Sequence, residues 1–162
     1  SFKRLRGDLS RTNDDQVTEL AVDFARLFLG AAVDGAFPYE SVYTSDYGLI
    51  MQDAHEEMLA LYRQAGLERA EGLSEPEDHI ALQFEYMGHQ CQQTISALQH
   101  KDDDRFGELI RSQRDFLKQH LLSWVDRLGA DIERLDRTDF YRSAAKITNL
   151  WLQIDFEILS NL

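Results

Sequence analysis

Apolar side chains recur at helical spacing along most of this 162-residue chain, and this pattern constrains the fold more than any other feature. The first clear stripe starts after Asn13, which has the spacing of a helix start with Gln16, and stops near Gly30. Similar stripes cover residues 46–65, 74–98, 104–128 and 138–158. No segment alternates with period two for long enough to make a sheet. We therefore predict an all-α fold, a single-domain irregular bundle of about six helices over residues 1–162.

The first residues carry part of a further helical face. Phe2, Leu5 and Leu9 share one side of a helix, and the chain starts without Met. We interpret this segment as the tail of a helix whose start is absent, so that the domain lacks upstream N-terminal helices.

The charge balance favours a cationic partner. The chain has 17 basic and 29 acidic residues and a net charge of −12, which opposes nucleic acid and anionic membranes. No stretch is apolar for the roughly 18 residues that a membrane span needs. The lone Cys91 excludes an intrachain disulfide, and its place on an apolar stripe indicates a small buried hydrophobe. We therefore predict a cytoplasmic protein without membrane insertion and without a nucleic-acid partner.

The segment Ser-Glu-Pro-Glu-Asp-His, residues 74–79, concentrates carboxylates and an imidazole at a predicted helix start. Ser74 and Glu77 have the spacing of a capping box, and Pro76 falls in the first turn, where a missing N–H is harmless. Asp78 and His79 are not needed for this cap. Behind them a stripe is predicted to face the core; it comprises Ile80, Phe84, Met87, Cys91, Ile95 and Leu98.

Residues 30–45 show no period and contain Gly35 and Pro38, which predicts a loop. This loop is too apolar to be a mere spacer, since it contains Phe37, Tyr39, Val42 and Tyr43. We expect it to be ordered.

Catalytic and metal-binding patterns are missing from the sequence. There is no glycine-rich phosphate loop, and no Glu-x-x-His motif of the kind that di-iron bundles need. Cys91 near His89 lacks a third group to orient a nucleophile. His55, His100 and His120 have polar neighbours and are predicted to lie on solvated surface. We predict a protein that is not an enzyme, with no catalytic residue, no metal site and no cofactor.

Several blocks together resemble a known family. These blocks are Asp23-Phe-Ala-Arg-Leu-Phe-Leu-Gly30, Pro38-Tyr-Glu-Ser-Val-Tyr43, Glu75-Pro-Glu-Asp-His79, and Trp124 followed by Phe140-Tyr141. Their order and spacing are similar to those of the TorD/DmsD/NarJ family of redox-enzyme maturation chaperones, over about residues 19–151. Members usually carry further helices upstream of the Phe24–Gly30 segment.

The resemblance implies an all-helical cytoplasmic chaperone. Such a protein binds the twin-arginine signal peptide of a molybdopterin-containing oxidoreductase, assists cofactor insertion into the apoprotein and delays its export. It exists as a monomer or as a domain-swapped homodimer. In this chain the implied signal-peptide-binding residues are Tyr39, Ser41, Tyr43, Pro76, Asp78 and His79.

Alternatives remain open for these residues. Asp78 and His79 also suit a purely structural arrangement at a helix start, and Tyr39 and Tyr43 suit aromatics that cap a core. An acidic all-helical adaptor that binds a partner helix would share the charge and the apolar loop, but it would not prefer paired arginines. We assign Trp124, Phe140, Tyr141 and Trp151 to the core.

Overall fold

The computed structural model describes residues 14–30 and 34–162, and within these ranges it contains seven α-helices and no β-strand. The helices are α1 (Asp14–Phe28), α2 (Glu40–Thr44), α3 (Asp53–Gln64), α4 (Ile80–His100), α5 (Asp103–Phe116), α6 (Val125–Leu135) and α7 (Phe140–Ser160). A π-helical segment, Leu117–Leu121, follows α5. The prediction of an all-α fold is confirmed. The predicted helical face of Phe2, Leu5 and Leu9 lies outside the described residues.

The described chain divides into two compact units. The first comprises residues 14–30, 34–38 and 125–151, and the second comprises residues 39–124 and 152–162. The prediction of one domain over residues 1–162 stays a prediction. Among the described residues, no helix has the combined length and apolar character that crossing a bilayer requires.

A buried carboxylate organises the first unit. Asp23 on α1 is 2% exposed and pairs with Arg26 at 2.6 Å. Its Oδ2 accepts hydrogen bonds from the backbone of Arg137 (3.1 Å) and from the hydroxyl of Thr138 (3.0 Å). Burial alone would raise the pKa of Asp23, but hydrogen bonds from Asp136, Arg26, Arg137 and Thr138 outweigh it and lower the pKa to about 2. Asp23 therefore ties α1 to the segment that precedes α7.

Large side chains fill the second unit. Trp124, Met58, Leu117 and Leu121 are fully buried, and the rings of Tyr86 and Phe116 lie 4.7 Å apart. Trp124 lies in the core, as predicted, and follows the π-helical segment, at whose end the N–H of Leu122 donates to the carbonyl of Leu117. The sequence predicts a single helix over residues 104–128 because the apolar spacing continues through the π-helical segment. In the structure, the regular α-helix is interrupted at this segment.

Two helix starts differ from the predictions. Helix α4 begins at Ile80, with His79 as the N-cap residue, so the Ser74–Glu77 capping box is wrong. Helix α3 begins at Asp53 instead of Asp46, because Gly48 and Met51 adopt positive φ angles of 62° and 57° that end any helix there. The segment over residues 30–45, predicted as a loop, contains the short helix α2.

Several side chains also lie differently from the predictions. Cys91 is exposed, Leu98 and Trp151 are 63% and 51% exposed, and Phe140 and Tyr141 are half-buried. On α4 the buried face instead includes two polar residues, Gln83 and Gln90, each held by hydrogen bonds. His55 and His120 are buried, whereas His100 is exposed as predicted.

Candidate functional site

Two motif segments that are about 40 residues apart in the sequence meet in the second unit. Tyr39 and His79 form an isolated antiparallel bridge, and the backbone N–H of Glu40 donates to the carbonyl of Asp78 at 3.1 Å. The structure thereby brings the Pro38–Tyr43 block beside the Glu75–His79 block. All six predicted site residues lie on these two joined segments.

Asp78 is the anchor between the segments. Its side chain is fully buried, and its Oδ2 accepts a hydrogen bond of 2.8 Å from the backbone N–H of Ser41 in the first turn of α2. Its Oδ1 has no hydrogen-bond partner among the described residues. A buried carboxylate bonded to a buried N–H stabilises the local fold, so Asp78 holds the start of α2 in place.

Ser41 and Pro76 shape the backbone on either side of this anchor. Ser41 is fully buried, and its hydroxyl oxygen accepts a bond of 3.1 Å from the N–H of Gln52, just before α3. The carbonyl of Pro76 accepts from the N–H of His79 at 3.1 Å, which closes a turn. Pro76 itself is half-buried. These contacts fix the backbone around the side chains that reach the surface.

Tyr39, Glu75 and His79 form the half-exposed part of the site. The Tyr39 hydroxyl donates to Glu75 Oε2 at 2.6 Å, and the rings of Tyr39 and His79 meet edge to face with centroids 5.1 Å apart. Burial, together with the hydrogen bond to Glu75 and the charges of Glu75 and Asp78, raises the pKa of Tyr39 to about 12. Tyr39 therefore stays protonated and keeps its hydrogen bond to the carboxylate at neutral pH.

His79 presents a hydrogen-bond donor. Its Nδ1 accepts from the N–H of Ala81 at 3.1 Å, so the proton of the neutral ring is on Nε2. Burial lowers the pKa of His79 despite the opposing charges of Glu75 and Asp78. The neutral form of the imidazole therefore persists to lower pH than in an ordinary histidine, and it offers Nε2–H together with one ring face.

Tyr43 packs on the core of the second unit. Its ring stacks on Trp124 with centroids 5.5 Å apart and an angle of 24° between the planes. The indole N–H of Trp124 donates to Gln83 at 3.3 Å. Tyr43 is half-buried and covers the fully buried Trp124, as the core-capping alternative describes.

A buried polar network surrounds Glu40, the first residue of α2. Glu40 is 3% exposed, and its Oε2 accepts from the Gln83 amide and lies 3.1 Å from Nδ1 of His120. Burial raises the pKa of Glu40 even though hydrogen bonds to His120 and Gln83 oppose the shift. Sequence reasoning missed this network because Glu40 and His120 are 80 positions apart and neither has a local pattern. The sequence prediction of the site also left out three residues that lie near it, Glu75, Glu77 and Arg69.

The fold and the site define an all-α protein in which an aromatic loop and an acidic helix start are joined around a buried aspartate. The sequence model of the family described as "Nitrate reductase delta subunit" matches residues 1–130, and the chain belongs to this family. The predicted resemblance is thereby confirmed.

Individual relatives agree with this assignment. The chain is 35% identical to the chaperone protein TorD of Vibrio cholerae (strain O395), over 99% of this chain and 72% of that protein. It is 30% identical to the chaperone protein TorD of Photobacterium profundum, over 92% of this chain and 68% of that protein. It is 28% identical to the corresponding protein of Shewanella pealeana, over 97% and 68% of the two chains. All three relatives are named as chaperones, a non-catalytic role.

Proposed function

We propose that this protein is a cytoplasmic chaperone for the maturation of a molybdopterin-containing oxidoreductase. It binds the twin-arginine signal peptide of the apoprotein, assists cofactor insertion and delays export until the client is loaded. Membership of the nitrate reductase delta subunit family and the similarity to chaperones named TorD support this role. The net charge of −12 suits a partner with paired arginines.

The observation that carries the proposal is the joining of the two motif segments at Tyr39 and His79. In this proposal the peptide contacts Tyr39, Pro76 and His79, with Glu75 as the nearby carboxylate. Ser41 and Asp78 are positioning residues, since both side chains are fully buried, and Tyr43 supports the site through Trp124.

The chemistry of the guest explains why arginine is preferred. A guanidinium pairs with a carboxylate through two coplanar hydrogen bonds, whereas a lysine ammonium is a strongly hydrated point charge. The apolar stretch that follows the arginines requires apolar surface nearby, and each large side chain that it buries contributes about 1.5–3 kcal/mol. Tyrosine rings supply rigid contact area at small entropic cost, which suits recognition of related peptides.

Calorimetry with peptides from the client's leader tests the proposal. The Arg-Arg peptide is expected to bind with a Kd around micromolar, about −8 kcal/mol. Changing Arg-Arg to Lys-Lys is expected to cost roughly 1–2 kcal/mol, and truncating the apolar stretch at least as much. E75Q is expected to reduce the preference for arginine, while E71Q, at an exposed glutamate of the same connecting segment, serves as the matched control.

Three results would count against the proposal. Equal affinity for the two peptides would favour an adaptor without twin-arginine specificity, and survival of binding after the truncation would remove the apolar contact. Absence of binding to either peptide would refute the chaperone role at this site.

A further inference from the structure

A pocket of about 580 Å³ opens in the second unit between α3, α4 and the segment that connects them. Its walls are mainly apolar and are formed by Leu59, Tyr62, Leu67, Leu73, Leu82 and Tyr86. The pocket is large enough for several apolar side chains of a peptide. Three glutamates, Glu68, Glu77 and Glu85, also line it and outnumber its two arginines, Arg63 and Arg69, so its charge favours a cationic ligand.

Glu77 joins this pocket to the candidate site, because it directly precedes Asp78. It is 7% exposed, and its Oε1 accepts hydrogen bonds from both Nε and Nη2 of Arg69. The two donors of the guanidinium thus form a fork on one carboxylate oxygen. Its Oε2 lies 3.2 Å from Nδ1 of His55, and its backbone carbonyl accepts from the Tyr62 hydroxyl at 3.1 Å. Glu77 is thus a buried carboxylate on a backbone that Tyr62 holds, and it already binds a guanidinium.

The guanidinium on Glu77 comes from a short surface loop. Arg69 is 45% exposed and belongs to the segment over residues 67–73, which follows Gly66 and includes Gly72. Both glycines have positive φ angles, 69° and 83°, and a Cβ at either would meet no atom within 4 Å. The segment over residues 67–73, called here the Arg69 loop, is therefore not packed against other atoms on the Cβ side of its glycines, and Arg69 fastens it to the buried Glu77.

We propose that the Arg69 loop is a latch on the pocket and that an arginine of the bound peptide replaces Arg69 on Glu77. Apolar side chains of the same peptide then pack on the pocket walls that α3 and α4 provide, which include Leu59, Tyr62, Leu82 and Tyr86. This proposal rests on the proposed function, since it takes the twin-arginine peptide as the guest. It extends the site from the Tyr39–His79 surface to the neighbouring pocket.

The exchange is physically favourable because one guanidinium replaces another. Displacing Arg69 without a substitute would leave a buried carboxylate short of its main partner, which is strongly destabilising. A lysine restores the charge but cannot repeat the fork that Arg69 makes with Oε1. The latch therefore opens preferentially for an arginine-bearing guest. Because only molecules with an open latch bind the peptide, the apparent affinity of the protein for the peptide is reduced in proportion to the fraction of molecules that are open.

Peptide titrations on the full chain test the latch. We expect R69Q to tighten binding of the Arg-Arg peptide at least threefold, because the internal competitor is removed. R69K, which retains the charge but loses the fork, is expected to tighten it to a smaller extent, and E77Q to weaken it about tenfold. R105Q is the matched control, since it removes one positive charge and an exposed ion pair with Glu108 elsewhere in the same unit.

The Lys-Lys peptide separates the latch from a general change in charge. A charge effect would tighten both peptides equally on R69Q, whereas the latch predicts a gain for the Arg-Arg peptide that exceeds the gain for the Lys-Lys peptide. Hydrogen exchange should accelerate in residues 67–73 when the Arg-Arg peptide binds to the wild-type protein.

The outcomes are distinguishable. If the wild-type protein prefers the Arg-Arg peptide but R69Q and R69K gain no more than R105Q, the latch is refuted and the proposed function stands. Slower exchange in residues 67–73 on binding would likewise refute it. If the wild-type protein binds neither peptide, the latch and the proposed function fail together.

Discussion

Replacing Asp78 by alanine tests whether this residue acts by holding the fold. The change removes the 2.8 Å hydrogen bond from Ser41 N–H and leaves that N–H buried without an acceptor. A hydrogen bond to a charged group contributes about 1.5–3 kcal/mol. We therefore expect D78A to lower the free energy of unfolding by about 2–3 kcal/mol, or roughly 4–12 °C in Tm for a chain of this size.

The structure offers a matched control at a second aspartate. Asp102 caps α5 through a 3.0 Å bond from the N–H of Arg105, but it is exposed. Its replacement by alanine is expected to cost only about 1 kcal/mol, because water can satisfy the released N–H. D78N retains an oxygen acceptor and should fall between the wild-type protein and D78A.

Urea denaturation followed by tryptophan fluorescence provides the assay. The chain has two tryptophans, so a W151F background leaves the buried Trp124, stacked on Tyr43, as the reporter. Peptide affinity per folded molecule is measured in parallel. The reasoning is refuted if D78A lowers stability no more than D102A does, and a large loss of affinity with little loss of stability would instead assign Asp78 to direct contact with the guest.

Three further changes probe the buried polar groups by urea denaturation. W124F removes the bond to Gln83 and should cost about 1–3 kcal/mol, and a loss below 0.5 kcal/mol would contradict this role for the indole N–H. Burial raises the pKa of Glu40 above its ordinary 4.5, so the free energy of unfolding of the wild-type protein relative to that of E40Q should fall as the pH rises from 4.5. A difference in free energy that stays constant with pH would argue against the raised pKa. Because the pKa of Asp23 is lowered to about 2, the advantage of the wild-type protein over D23N should be complete above pH 4 and disappear towards pH 2, and its persistence at pH 2 would refute the assignment.

The sequence predicts those features of this fold that depend on local spacing. The stripe behind Asn13 predicts α1, and Gly66 marks the end of α3 because its φ of 69° lies in the left-handed region that favours glycine. The predicted start of α4 is wrong because Glu77, which has the spacing to close a capping box on Ser74, pairs with Arg69 instead. A tertiary ion pair has outweighed a local cap.

The candidate site, too, could be predicted from the sequence only in part. The two motif blocks can be read from the sequence, and the structure joins them so that Tyr39, Asp78 and His79 lie together. The binding of a signal peptide by these residues stays a prediction. The burial of Asp78 could not be predicted, since a carboxylate at a helix start usually faces water, where it interacts with the exposed N–H groups.

The sequence by itself therefore determined the helical class, the acidic surface and the identity of the motif residues, because periodicity and charge are properties of neighbouring positions. Tertiary structure alone decided which polar groups are buried. Glu40 and His120 are 80 positions apart in the sequence, and Asp78 and Ser41 are 37 positions apart. These pairs therefore come into contact only after α2, α4 and the π-helical segment have packed. Burying a charged group costs free energy unless a partner compensates it, and only the folded chain supplies that partner.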